Sequence, residues 1–375
     1  MVGLARSTRT AWPFGLLGML ALVAIAEWTI ARGSRFKTDK AASWAYAAHE
    51  VRRQSKHAEV VFLGDSMVKF GLLPRIVESH TGWRAFNLAV FDGPPLASLT
   101  IFEQLLTQGG RPRAIVVNFM PHQLERALLD PKHANVWFQL MSLPKAWDHA
   151  RRLGAYELLL GQPLVSNWPS VAIREEWRAS LLASFEGRQR STEGMIRVYQ
   201  HNWMANLGAH VLTARDTPGT FEKTNDELFS ARWHARPMNL AVVRRFLDLA
   251  RQHAVQVHWL ISPMHPDAQA RLEEIGVLPR YLALLNEIIC AHPELVVLDG
   301  RGLGLGANDF VDAVHLDREG AVVLSQACAE ALRASTPASR WIALRTVSRE
   351  QPNVPIEDIG ESRLAVRDNH PPRRR

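Results

Sequence analysis

The chain of 375 residues reads as an α/β protein, a parallel sheet with helices on both faces, and three observations predict it. Short apolar runs such as Val60-Val61-Phe62-Leu63 and Leu295-Val296-Val297-Leu298 suit strands covered on both sides. Helical stretches stand between such runs, so strand and helix alternate. The alternation breaks only once, from 126 to 234, where apolar residues recur at helical spacing without a clean strand. With 47% hydrophobic and 22% charged residues, the chain can bury a full core.

Taken in order, residues 1–11 form a tail carrying Arg6 and Arg9, and 12–31 is a mostly apolar segment interrupted by Glu27. Twenty such residues can cross a bilayer of about 30 Å hydrocarbon thickness. An uncleaved anchor competes with a signal peptide cut near Ala24-Ile25-Ala26; the apolar run past Glu27, through Trp28, Ile30 and Ala31, favours the anchor. Arg32, Arg35, Lys37 and Lys40 outnumber Arg6 and Arg9, and the positive-inside rule alone would leave the main body in the cytoplasm. A buried amphipathic helix is the third reading, disfavoured at an extreme N-terminus with so few charges.

A helix is expected over 41–55, with Trp44, Ala47, Ala48 and Val51 on one side. After the first strand, Phe70, Leu72, Leu73, Ile76 and Val77 fit a helix or loop-helix. Trp83 to Val90 is the second strand, Leu96 to Gln108 a helix, and Ala114 to Phe119 the third strand, with Asn118 inside it. The 126–234 stretch is read as a mainly helical insertion between the third and fourth strands. Its Trp137, Trp147, Trp168, Trp177, Trp203 and Trp233 are read as mostly its own core, with an acceptor-binding lid as the functional alternative. Asp216-Thr217-Pro218-Gly219 marks an exposed turn. Leu240 to His253 then gives a helix, Val255 to Ile261 a strand, Leu282 to Cys290 a helix, Leu295 to Leu298 the last strand and Gly320 to Leu332 the closing helix. The catalytic body is therefore 41–125 with 235–335, and 336–375, rich in proline and arginine, is expected to pack poorly.

Two places carry chemistry. The first strand stops at Gly64-Asp65-Ser66, where Gly64 permits a tight exit and Ser66 can present a nucleophilic hydroxyl at a helix N-terminus. The plain alternative is that Asp65 or Ser66 only caps that helix. Near the other end, Phe310-Val311-Asp312-Ala313-Val314-His315 places an acid and an imidazole three residues apart in one loop. A serine nucleophile needs such a base, held in one tautomer by an acid. His265, in the loop after the fourth strand, competes with His315 as base, but no acid precedes it by three residues.

On these blocks the chain resembles the SGNH (GDSL-type) hydrolase superfamily: Gly64-Asp65-Ser66, then Phe86-Asn87-Leu88-Ala89-Val90-Phe91-Asp92-Gly93, then Asp312-Ala313-Val314-His315. The resemblance implies a three-layer, flavodoxin-like α/β/α fold and a catalytic set of Ser66, Asp312 and His315. It also implies that the Gly93 N–H faces the oxyanion. The family's Gly-x-Asn-Asp block is absent, so Asn118 and His122 are the candidates for the side-chain donor. The implied chemistry is that of an esterase or O-acyltransferase on a cell-envelope or exported polysaccharide, on the extracytoplasmic side of the membrane. It needs no cofactor, and a membrane acyl-donor protein is a candidate partner. A non-catalytic envelope binding or assembly protein is the alternative.

The remaining bounds are negative. A formal charge of +7 sits partly in the tails, and no aromatic-basic interleaving or finger motif argues for nucleic acid. Cys290 and Cys328 have no metal-binding or redox spacing, and nothing supports a disulfide between them.

Overall fold

In the computed structural model, six short strands lie parallel in one sheet: β1 (Val60–Leu63), β2 (Ala85–Asn87), β3 (Ala114–Val117), β4 (Gln256–Ile261), β5 (Val296–Asp299) and β6 (Trp341–Ala343). Their order is β2-β1-β3-β4-β5-β6. The structure describes residues 14–32, 39–53, 55–128, 136–156, 158–159, 189–213, 230–336, 339–346, 349 and 353–369. The chain runs outward from β1 to β2 and then returns past β1 to β3. That reversal opens a crevice at the C-terminal ends of β1 and β3, where ligands bind in sheets of this order.

Because strand side chains alternate between faces, each strand feeds two cores. Val61, Leu63, Ile115, Val117 and Trp259 enter one, and Val60, Phe62, Val116, Leu260 and Leu298 the other. Fourteen helices are described: α1 (Phe14–Arg32), α2 (Asp39–Glu50), α3 (Ser66–Gly71), α4 (Pro74–Thr81), α5 (Pro95–Thr107), α6 (Pro121–Glu125), α7 (Trp137–Leu140), α8 (Leu143–Leu153), α9 (Gln189–Ala205), α10 (Pro237–Gln252), α11 (Pro266–Glu274), α12 (Val277–Ala291), α13 (Arg318–Ala334) and α14 (Ile359–Asn369). Proline opens α4, α5, α6, α10 and α11, where its fixed φ suits the first turn and its missing N–H would find no partner anyway. Trp44 of α2, Phe102 of α5, Phe246 of α10 and Leu285 of α12 fill the first core. Val68 of α3, Ile76 of α4 and Leu324 of α13 fill the second.

The structure corrects several boundaries. The second strand ends at Asn87 instead of Val90, because the Asn87 amide turns onto the Val68 and Leu72 carbonyls, at 2.9 Å each, and its Oδ1 accepts the Ala89 N–H. The third strand ends at Val117, so Asn118 lies after it, not inside it. Pro74 splits the post-serine helix into α3 and α4. The helix expected from Leu282 begins at Val277. Within 336–375, β6 extends the sheet and α14 packs its buried Ser362 against Asn202 of α9, so this part of the chain is not simply a loose tail.

The expected membrane span finds no support among the described helices. A helix does form at Phe14–Arg32, but among the described residues no helix is long and apolar enough to cross a membrane. Its 19 residues rise about 28 Å at 1.5 Å each, against about 30 Å of hydrocarbon, and Glu27 and Arg32 lie within that length. In the 126–234 segment the described parts are helical, as expected. Trp137, Trp203 and Trp233 are buried and Trp147 is exposed, while Trp168, Trp177 and the 216–219 turn lie outside the described residues. The end of this insertion joins the sheet, since the Asn87 N–H donates to the Leu207 carbonyl at 2.9 Å. Gly208 follows at φ +95°, where a Cβ would stand 2.0 Å from the Asn87 carbonyl oxygen, so only glycine fits. Cys290 and Cys328 are both free thiols.

Candidate active site

At the C-terminal end of β1 the chain leaves the sheet through Gly64, at φ +139°. A Cβ there would come within 3.0 Å of Val68 and 3.2 Å of the Asn118 carbonyl oxygen. Asp65 caps α3, its Oδ1 accepting the Met67 N–H at 2.9 Å, and Ser66 is the first helical residue. The two readings of Gly-Asp-Ser are thus divided between neighbours: Asp65 caps, and Ser66 is left to face His315. Its Oγ lies 2.8 Å from His315 Nε2, and His315 Nδ1 lies 2.7 Å from Asp312 Oδ2.

The 310–316 loop makes the His315–Asp312 half of this geometry by itself. A bridge between Phe310 and Leu316 closes it, and the Val311 N–H donates to the His315 carbonyl at 2.9 Å. Asp312 Oδ1 accepts the N–H groups of Val314 and His315 at 2.9 and 2.8 Å, so the carboxylate is anchored by the same loop whose imidazole it orients. Burial alone would raise the Asp312 carboxyl, but the hydrogen bond and charge of His315, with the two N–H groups, outweigh burial and hold it below its ordinary value. It therefore stays ionised at neutral pH. Phe70 of α3 sets its ring edge-on to the His315 imidazole at 5.0 Å.

Around this triad the predicted residues take different places. Gly93 must be glycine, because a Cβ would stand 2.7 Å from the Gly64 carbonyl oxygen. Its N–H, expected to face the oxyanion, instead donates to the Val90 carbonyl at 3.0 Å and closes a turn. Asn118 is wholly buried; its amide donates to Ser262 Oγ at 2.5 Å. His122, in the first turn of α6, keeps its side chain 10% exposed and sets Nε2 3.3 Å from Asp65 Oδ2. Asp65 thus reaches one way to the helix that begins at Ser66 and the other way to a second imidazole. His265 is turned to other partners: its Nδ1 accepts the Asp267 N–H at the start of α11, and its backbone N–H donates to the Ala313 carbonyl at 3.1 Å, bracing the 310–316 loop.

Sequence reading missed the Asp65–His122 pair and Ser262. Neither has a local signal, since both depend on which strands lie side by side. A hollow of about 340 Å³ is lined by Arg52, Gln104, Gln108 and Lys145, beside the C-terminal end of α5, and shares no residue with Ser66, His315 and Asp312. Compared with known proteins, the chain matches no family model and no curated sequence.

Proposed function

We propose that the protein performs serine-dependent acyl-ester chemistry through an acyl-enzyme on Ser66, as an SGNH-type esterase or O-acyltransferase. The observation that carries this reading is the continuous chain Ser66 Oγ to His315 Nε2 at 2.8 Å and His315 Nδ1 to Asp312 Oδ2 at 2.7 Å. In the acylation step His315 takes the Ser66 proton as Oγ attacks the ester carbonyl, and Asp312 balances the imidazolium. The tetrahedral oxyanion is met by the Ser66 N–H, which no acceptor among the described residues engages. His122 is the side-chain donor in this reading: it follows β3, it is partly exposed, and its Nε2–H, 3.3 Å from Asp65 Oδ2, would turn from that carboxylate to the oxyanion at Ser66. Collapse expels the alcohol, which leaves with the proton from His315.

Deacylation repeats these steps with a second acceptor. Water makes the protein an esterase, and a hydroxyl of a cell-envelope or exported polysaccharide makes it a transferase. An extracytoplasmic site at a membrane, with a membrane acyl donor, is part of the proposal. Support comes from the resemblance and from α1, whose Leu16, Leu17, Leu20, Ile25 and Trp28 are exposed. The engaged Gly93 N–H favours the second reading, a binding protein on an SGNH-like fold. The test is release of acetate from an activated acetyl ester, with and without candidate glycans. Turnover in water supports the esterase, strict dependence on a glycan supports the transferase, and inertness toward every ester and glycan pair leaves the binding protein.

A further inference from the structure

We infer that Trp44, in the helix that precedes the catalytic sheet, is a positioning residue for the active-site loop 90–94, a role that rests on the acyl-ester reading above. Trp44 is fully buried in α2, 22 positions before Ser66 in the chain, and its indole Nε1–H donates to the Phe91 carbonyl at 2.9 Å. A buried tryptophan N–H usually finds an acceptor. What matters here is which acceptor it finds. The neighbouring Ser43 Oγ accepts the Phe91 N–H at 3.4 Å, so one turn of α2 holds both polar groups of a single loop residue.

That residue stands at the joint of the site. The next one, Asp92, has φ +53°, a left-handed conformation that a non-glycine residue keeps only when its surroundings enforce it. On one side of the joint, the Val90 N–H donates to the Gly64 carbonyl at 3.1 Å, and Gly93 packs against the same oxygen. Gly64 leads directly into Asp65 and Ser66. On the other side, the Phe91 ring lies 5.4 Å from Phe70, which is edge-on to His315, and 5.7 Å from His210, stacked within 4°. Turning the Phe91–Asp92 peptide would therefore disturb the nucleophile's exit loop and the wall behind the base together. The Trp44 hydrogen bond fixes that peptide. An otherwise plain core tryptophan thereby couples the N-terminal helical segment to the geometry of the serine site.

The test uses the full chain and three proteins: wild type, Trp44→Phe, and Phe102→Leu, which thins the same core where Phe102 meets Phe246. Steady-state hydrolysis of an activated acetyl ester is measured across pH beside the thermal midpoint. Trp44→Phe is expected to lower kcat roughly tenfold, a fraction of the loss seen when a direct oxyanion donor is removed. KM should stay within about twofold and the pH midpoint should not move, because the His315–Asp312 pair is untouched. Phe102→Leu should lose thermal stability with kcat unchanged. A wild-type kcat in Trp44→Phe, or an equal kcat loss in both variants at equal loss of thermal midpoint, overturns the inference alone. A wild type without turnover overturns the acyl-ester reading, and the inference with it.

Discussion

One carboxylate at the site carries two contacts: Asp65 Oδ1 caps α3 through the Met67 N–H, and Oδ2 holds His122 at 3.3 Å. This arrangement separates the two candidate oxyanion donors by their surroundings. His122→Ala should lower kcat on the order of 10²-fold with the thermal midpoint nearly unchanged. Asn118→Ala should act mainly on stability, by about 1–2 kcal/mol, since it strips Ser262 of a buried hydrogen bond. Parallel kinetics and thermal melts decide the matter, and the reverse pattern would exchange their roles. Ser66, Asp312 and His315 were legible in the sequence because each carries its own local sign: a strand that stops at Gly-Asp-Ser, and an acid three residues before an imidazole in one loop. The Asp65–His122 pair was not legible. It exists because Leu63 pairs with Val117 in the sheet, which brings the residues two beyond one strand and five beyond the other to the same edge.

At the scale of elements, the sequence revealed five of the six strands and most helices, since fully apolar runs and helical spacing are strong signals in a sheet covered on both faces. Strand ends were less legible, because side-chain contacts set them: the Asn87 amide stops β2 by binding carbonyls of Val68 and Leu72. The three residues of β6 are too few for a pattern, and they lie on the sheet's edge. One polar residue inside a predicted strand has a measurable consequence. His258 of β4 is buried, with Nε2 3.1 Å from Ser335 Oγ past the end of α13, and burial lowers its pKa from 6.5 to about 4. The unfolded chain therefore binds the proton more readily, so the fold loses stability as pH falls from 6.5 toward 4 and keeps it above 6.5. Urea midpoints at pH 7 and 4.5 should drop more for the wild type than for His258→Gln, by an amount corresponding to at most about 3 kcal/mol. Equal drops would show that His258 does not carry this acid sensitivity.

For the whole molecule, the strand order places the exits of β1 and β3 on either side of the reversal point, while α13 follows the loop that carries His315. Chain segments far apart in sequence converge there: Ser66 and His315 are separated by 249 positions. The N-terminal helical segment and the end of the insertion close on the same place, through Trp44 on Phe91 and through His210 stacked on its ring. That convergence was beyond the sequence, because a helical insertion read alone gives no sign of where its end will dock. The proposed chemistry requires Ser66 to be an activated nucleophile. It is tested most directly by incubating the protein with a fluorophosphonate beside Ser66→Ala and locating the adduct by intact and peptide mass spectrometry. One adduct is expected, on Ser66, lost in the variant. A folded wild type that stays unmodified, or one labelled equally in Ser66→Ala, would contradict it.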